Sequence, residues 1–212
     1  VKIWPSRNWT DKDTVEFWQL NEVSYNCDAL KRPPMAHCVA SNATGVESEA
    51  GWVPVTWDVP LIDTDEMSDG GTKLVINTPG MYIVRARFFW LPAYTGAAWG
   101  WPANGTANAS DIYKANFMGA IGRNCDGQFQ ASASTGMLAT NIQGVTGGNP
   151  ITAPPLQSDP LYNTMAARVR LDEGDHLEAF AALSITKTTA SFAVAGNSDT
   201  RYGTFSARFL HL

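Results

Sequence analysis

Two periodicities divide the chain. From residue 35 onward apolar and polar side chains alternate with a period of two, in short runs separated by Gly, Pro, Asn and Asp. Such runs read as half-buried strands, and they predict strands over 35–40, 51–57, 73–78, 81–90, 113–121, 163–171, 176–185, 190–195 and 203–212. No run of helical period intervenes, so the pattern predicts an all-β sandwich or jelly roll.

Before residue 35 the pattern changes. In "RNWTDKDTVEFWQLNEVSYNCDALKRPP" Asp13 is followed three residues later by Glu16, a helix-start signal. Leu20, Val23, Cys27 and Leu30 then recur at spacings of three, four and three, a short seam that Pro33-Pro34 ends. About two heptads cannot hold an assembly alone. Residues 1–34 are therefore expected to be a short helical or extended anchoring arm, and 35–212 one domain. The helix either lies on its own domain or meets its symmetry mates.

The run "MYIVRARFFW" carries the most informative alternation. Tyr82, Val84, Ala86, Phe88 and Trp90 form one face; Met81, Ile83, Arg85, Arg87 and Phe89 form the other. The first is a core face. The second mixes arginine with exposed apolar groups, which suits a subunit interface better than plain solvent contact. Later strands repeat the theme. Met165, Ala167, Val169 and Leu171 oppose Ala166, Arg168 and Arg170; Phe205, Ala207 and Phe209 oppose Ser206, Arg208 and Leu210. Leu177, Ala179, Ala181 and Leu183 oppose His176, Glu178 and Phe180. Pro79-Gly80 reads as the turn joining two antiparallel strands.

Two stretches lack periodicity and read as long loops. Residues 91–111 carry Trp99 and Trp101; residues 126–160 are small, polar and rich in Gly and Pro. The two tryptophans could stack on a sugar ring or pack against a neighbouring subunit, and both readings stay open.

Composition narrows the function classes. Charged residues make up only 17% of the 212, against 44% hydrophobic, so part of the surface is expected to be covered by partners. A net charge of −5 argues against nucleic acid or an anionic membrane as partner. No apolar run is long enough to cross a bilayer and no signal peptide is visible, so a chain that began here would start in a cytosol. Cys27, Cys38 and Cys125 have no metal-type spacing and are expected to be free thiols.

Catalytic motifs are missing: the sequence has no nucleophile elbow, zincin motif, phosphate-binding loop or dinucleotide fingerprint. His37, His176 and His211 are far apart, each inside an expected strand, and read as structural. The expectation is a non-enzyme without cofactor or metal. "DTDEMSDGG" offers Asp63, Asp65 and Asp69 as calcium oxygens, but Met67 sits where an EF-hand needs a ligand and the closing Glu is absent. A solvated acidic turn is the preferred reading.

Two regions resemble known families. "TKLVINTPGMYIVRARFFW", "VRLDEGDHLEAFA" and the terminal "YGTFSARFLHL" resemble the C1q/tumour-necrosis-factor-like jelly roll, through Gly80 and Tyr82, Leu171, Gly174 and Asp175, then Phe205, Ser206 and Leu210. The segment "NWTDKDTVEFWQLNEVSYNCDALKRPPMAHCVAS" resembles the N-terminal segment of structural proteins of tailed actinobacterial phages. It does so at Trp9, Asp11, Asp13, Leu20, Asn21, Val23, Leu30, Pro33 and Pro34.

The first resemblance implies a homotrimer assembled through one sheet face, with Met81, Ile83, Arg85, Arg87, Phe89, Arg168, Arg170 and Arg208 at the interface. The second implies a virion protein, assembled in the host cytoplasm and tethered by Trp4, Trp9, Trp18, Leu20, Val23 and Leu30. A head decoration protein contacting the major capsid protein is the preferred expectation. A tail-fibre or tail-tip protein whose Trp99 and Trp101 touch a host glycan is the alternative. A secreted animal C1q-like ligand would explain the Asn-x-Ser/Thr sites but not the phage-like segment.

Overall fold

A computed structural model describes residues 31–47, 51–92, 114–129, 136–146, 161–185, 191–194 and 203–211. The first strands are β1 (Met35–Val39), β2 (Thr44–Glu47), β3 (Val53–Pro54), β4 (Val59–Asp63), β5 (Lys73–Val75) and β6 (Gly80–Pro92). They are followed by β7 (Lys114–Arg123), β8 (Met137–Thr146), β9 (Leu161–Leu171), β10 (His176–Ile185), β11 (Ser191–Val194) and β12 (Gly203–His211).

Strand pairing is nested. β7 pairs with β8, β6 with β9, β5 with β10 and β1 with β12, all antiparallel. A long hairpin paired in this way and rolled into two sheets is a jelly roll. One sheet has seven strands, ordered β2-β11-β6-β12-β1-β4 with β9 on the other side of β6; the second has β3-β10-β7-β8 with β5 against β10.

The core lies between these sheets and follows the predicted alternation. Tyr82, Val84, Ala86, Phe88 and Trp90 of β6 are all buried, as are Phe205 and Ala207 of β12 and Ala36 and Cys38 of β1. Opposite them stand Phe117 and Ile121 of β7 and Leu177, Ala179, Ala181 and Leu183 of β10. Each large apolar side chain removed from water here is worth about 1.5–3 kcal/mol. Trp57 plugs the sandwich between Phe88 and Phe205, at ring distances of 6.0 and 5.8 Å. At Gly119 a Cβ would come within 2.7 Å of the Met165 methyl and 3.0 Å of the Phe88 ring, so the sheets pack closely there.

Several expected elements differ. Residues 137–146, expected to be loop, form β8 along the whole of β7. β8 ends its sheet's strand order, and Met137 and Ile142 are exposed, so its hydrophobic pattern lacks the two-sided contrast of an inner strand. Residues 44–47 and 59–63 also pair as strands, while the run 51–57 contributes only Val53–Pro54 and 73–78 only Lys73–Val75. Pro79-Gly80 does not join a hydrogen-bonded pair: β5 belongs to one sheet and β6 to the other, and the chain crosses between them here. Gly80 has φ 153°, and a Cβ there would fall on the Phe209 ring and 2.9 Å from the carbonyl oxygen of His211. The corner therefore needs glycine for space as well as conformation.

Candidate functional site

The outward face of the seven-stranded sheet gathers the residues singled out from the alternation. Register decides which of them meet. Ile83 of β6 stands between Arg168 of β9 and Arg208 of β12, and Met35 of β1 lies beyond Arg208. One step along, Arg85 is flanked by Ala166 and Ser206, with His37 and Ile62 completing the row. Met81 lies between Arg170 and His211, Arg87 between Thr164 and Thr204, and Phe89 opposite Tyr162. Directly opposed residues share a sheet face, so Met81, Ile83, Arg85, Arg87, Phe89, Arg168, Arg170 and Arg208 form one continuous surface.

Arg85, Arg87, Arg168, Arg170 and Arg208 are exposed, while Met81, Ile83 and Phe89 are half-buried. No carboxylate among the described residues lies within ion-pair distance of these five arginines. Two of them are held in place. The Arg87 guanidinium lies over the Tyr162 ring at 4.2 Å, and Arg168 donates to Nε2 of His211 at 3.0 Å. Arginine cannot accept, so this contact uses the imidazole lone pair and leaves the His211 proton on Nδ1. Tyr162, His211, Met35, His37 and Ile62 were missed in the sequence reading. Parity along each strand was visible, but only cross-strand register brings these residues to the same face.

The second sheet does not repeat this arrangement. His176, Glu178 and Phe180 do face away from the sandwich, yet Glu178 and Phe180 are fully buried. The turn after β7 folds over them: Phe129 packs on Phe180 at 5.2 Å and on Trp52 at 4.9 Å. Asn124, Asp126 and Gly127 adopt positive φ to make that turn. Glu178 accepts from the Gly127 N–H at 3.0 and 3.1 Å. Lys73 pairs with Asp126 at 2.8 Å, and His176 Nε2 lies 3.2 Å from the same oxygen. The Lys73 hydrogen bond holds the Asp126 carboxyl below its ordinary range, and Asp126 in turn raises Lys73. Cys125 in this turn is a free, half-buried thiol whose pKa burial pushes up, with Glu178 and Asp126 adding to the rise. The arrangement clamps a turn onto the sheet.

The acidic turn 63–71 keeps Glu66, Asp69 and Gly70 exposed and Asp63 half-buried, and its carboxylates also bond within the turn. Asp63 accepts from the N–H groups of Met67 and Ser68 at 2.8 and 2.9 Å. Asp69 accepts from those of Gly71 and Lys73 at 2.7 and 3.1 Å, and Asp65 is 92% buried (8% exposed). The oxygens of Asp63 and Asp69 thus face backbone donors of their own turn. Among the described residues no three His, Cys, Asp or Glu side chains form a metal-holding group. Cys38 is a free thiol buried in the core.

The arm residues Trp4, Trp9, Trp18, Leu20, Val23, Cys27 and Leu30, and the loop residues Trp99 and Trp101, lie outside the described residues.

No family model matches this chain, and no curated protein matches it. Among solved structures it is similar to an Eiger TNF from S. frugiperda, with 16% identity over 84% of this chain and 92% of that one and a TM-score of 0.46. It is similar to murine APRIL, with 13% identity over 83% and 98% of the two chains and a TM-score of 0.47. It is also similar to the globular domain of zebrafish complement 1qA protein, with 9% identity over 84% and 98% and a TM-score of 0.44. The nested strand pairing defines the jelly roll independently of these likenesses.

Proposed function

We propose that this chain is a non-enzymatic structural protein that self-associates as a homotrimer through the outward face of its seven-stranded sheet. One observation carries the reading: five arginines and three half-buried apolar side chains share one exposed sheet face without carboxylate partners among the described residues. Left in water, that face would keep Met81, Ile83 and Phe89 partly wet. Closing it between copies buries them, and planar, weakly hydrated guanidinium groups tolerate such burial better than ammonium groups. The resemblance of the strand motifs to C1q-like domains supports a threefold arrangement.

The assembly is proposed to serve in a virion. The phage-like arm supports this, with residues 1–34 tethering the trimer to the major capsid protein as a head decoration. Light scattering on the full chain at micromolar concentration tests the core of the reading. A mass of three copies, falling to one copy in Ile83→Asp, is the expected result. A monomer in the unaltered chain would overturn it. Antibody labelling of virions in the electron microscope tests location: label on the head supports decoration, and label on the tail or on no virion removes it.

A further inference from the structure

The arginine face poses an electrostatic problem that self-association does not solve. Bringing copies together over exposed guanidinium groups, with no carboxylate paired to them among the described residues, concentrates like charge in a region that water is leaving. Several of the described acidic residues are already engaged: Asp63 and Asp69 accept from backbone N–H groups, Asp175 and Asp126 are paired with Arg123 and Lys73, and Glu178 is buried under the clamped turn.

The five arginines are not evenly spread. Arg168 and Arg208 flank Ile83 from the two neighbouring strands, so their Cα atoms stand about 10 Å apart. Arg85 sits two residues from Ile83 on the central strand, about 7 Å along it. Arg168 is already oriented by His211. Arg87 is turned onto Tyr162 and stands outside this triangle. Ile83 gives the triangle an apolar floor, half-buried and without competing acceptors.

We propose that Arg85, Arg168 and Arg208 form a binding site for a tetrahedral oxyanion of the phosphate class, which neutralises the face where copies meet. A phosphate offers several acceptor oxygens, and guanidinium groups bind such oxygens in paired, charge-assisted hydrogen bonds. The inference deepens the self-association reading and rests on it for the burial of the anion; the triangle itself is present on every copy.

Titration calorimetry on the full chain tests the site, with inorganic phosphate, pyrophosphate and polyphosphate at constant ionic strength held by sodium chloride. Saturable binding is expected. Arg168→Gln and Arg208→Gln should each weaken it about tenfold or more, since each removes charged hydrogen bonds, while Arg87→Gln should leave it within about twofold. Binding of inorganic phosphate points to a free anion; binding of polyphosphate alone points to phosphate carried on a polymer. No binding by any of the three overturns the site, as does equal weakening by Arg87→Gln. All three positions are exposed, so circular dichroism should show each variant folded. Light scattering on the same samples separates the two readings: a trimer that binds no phosphate removes the site alone, and a monomer that binds it removes the trimer alone.

Discussion

Trp90 on β6 donates its indole N–H to the side-chain oxygen of Asn163 on β9, inside the sandwich. Asn163 is fully buried and passes its amide hydrogens to the other sheet, to the Phe117 carbonyl at 3.3 Å and the Asn141 side chain at 2.7 Å. One amide thus joins β6, β7, β8 and β9 where the two sheets meet. Replacing Asn163 by Leu strands the buried Trp90 indole N–H and removes the amide link between the sheets. The expected loss is about 2–4 kcal/mol, read from the urea midpoint at unchanged slope.

Gly80→Ala should be among the most damaging single methyl additions. The new Cβ meets the Phe209 ring and a backbone carbonyl, in a conformation that alanine resists. A loss of about 2–4 kcal/mol is expected. Gly45→Ala, on a strand where nothing lies within 4 Å of the added carbon, is the control and should change stability by less than about 0.5 kcal/mol.

Acid should destabilise the domain through Asp175. Burial alone would raise its pKa, but the backbone N–H of Asp172, the Asn124 amide and the Arg123 guanidinium outweigh that and lower it. Arg123 reaches it at 2.6 Å. A carboxyl with a lowered folded pKa contributes stability above its unfolded pKa, near 4, and loses it as pH falls through the folded value. Melting temperature should drop below about pH 4, and the drop should be shallower in Asp175→Asn, which starts less stable at neutral pH.

The turn clamped by Glu178 should open without unfolding the sandwich. Phe129→Ala empties the small cluster over Phe180 and Ala120, and its cost should reach about 2–4 kcal/mol. Hydrogen exchange at Gly127 and Gln128, whose N–H groups are bonded to Glu178 and to the Cys125 carbonyl, should rise well before exchange in β10. Equal acceleration in both would mean that the turn is not a separate unit.

The inner strands were legible from sequence because both of their faces have a consequence. On β6, β10 and β12 one parity is buried in the core, and that contrast survives in the alternation. Edge strand β8 has exposed Met137 and Ile142 and lacks this contrast, so 137–146 read as loop. Pro79-Gly80 was recognised as a corner but assigned to a hairpin, because local turn chemistry does not say which sheet the next strand joins.

By itself the sequence determined an all-β fold, the core-facing parity of the main strands and the arginine-bearing opposite parity. Each of these follows from the two-residue repeat of an extended backbone. Tertiary structure decided the rest, because register is a relation between distant segments. It placed Arg168 and Arg208 on either side of Ile83, and it covered Glu178 and Phe180 with the turn at 124–129. A sequence of alternating residues is silent on both, since the same parity can face a neighbour, a turn or water until the strands are paired.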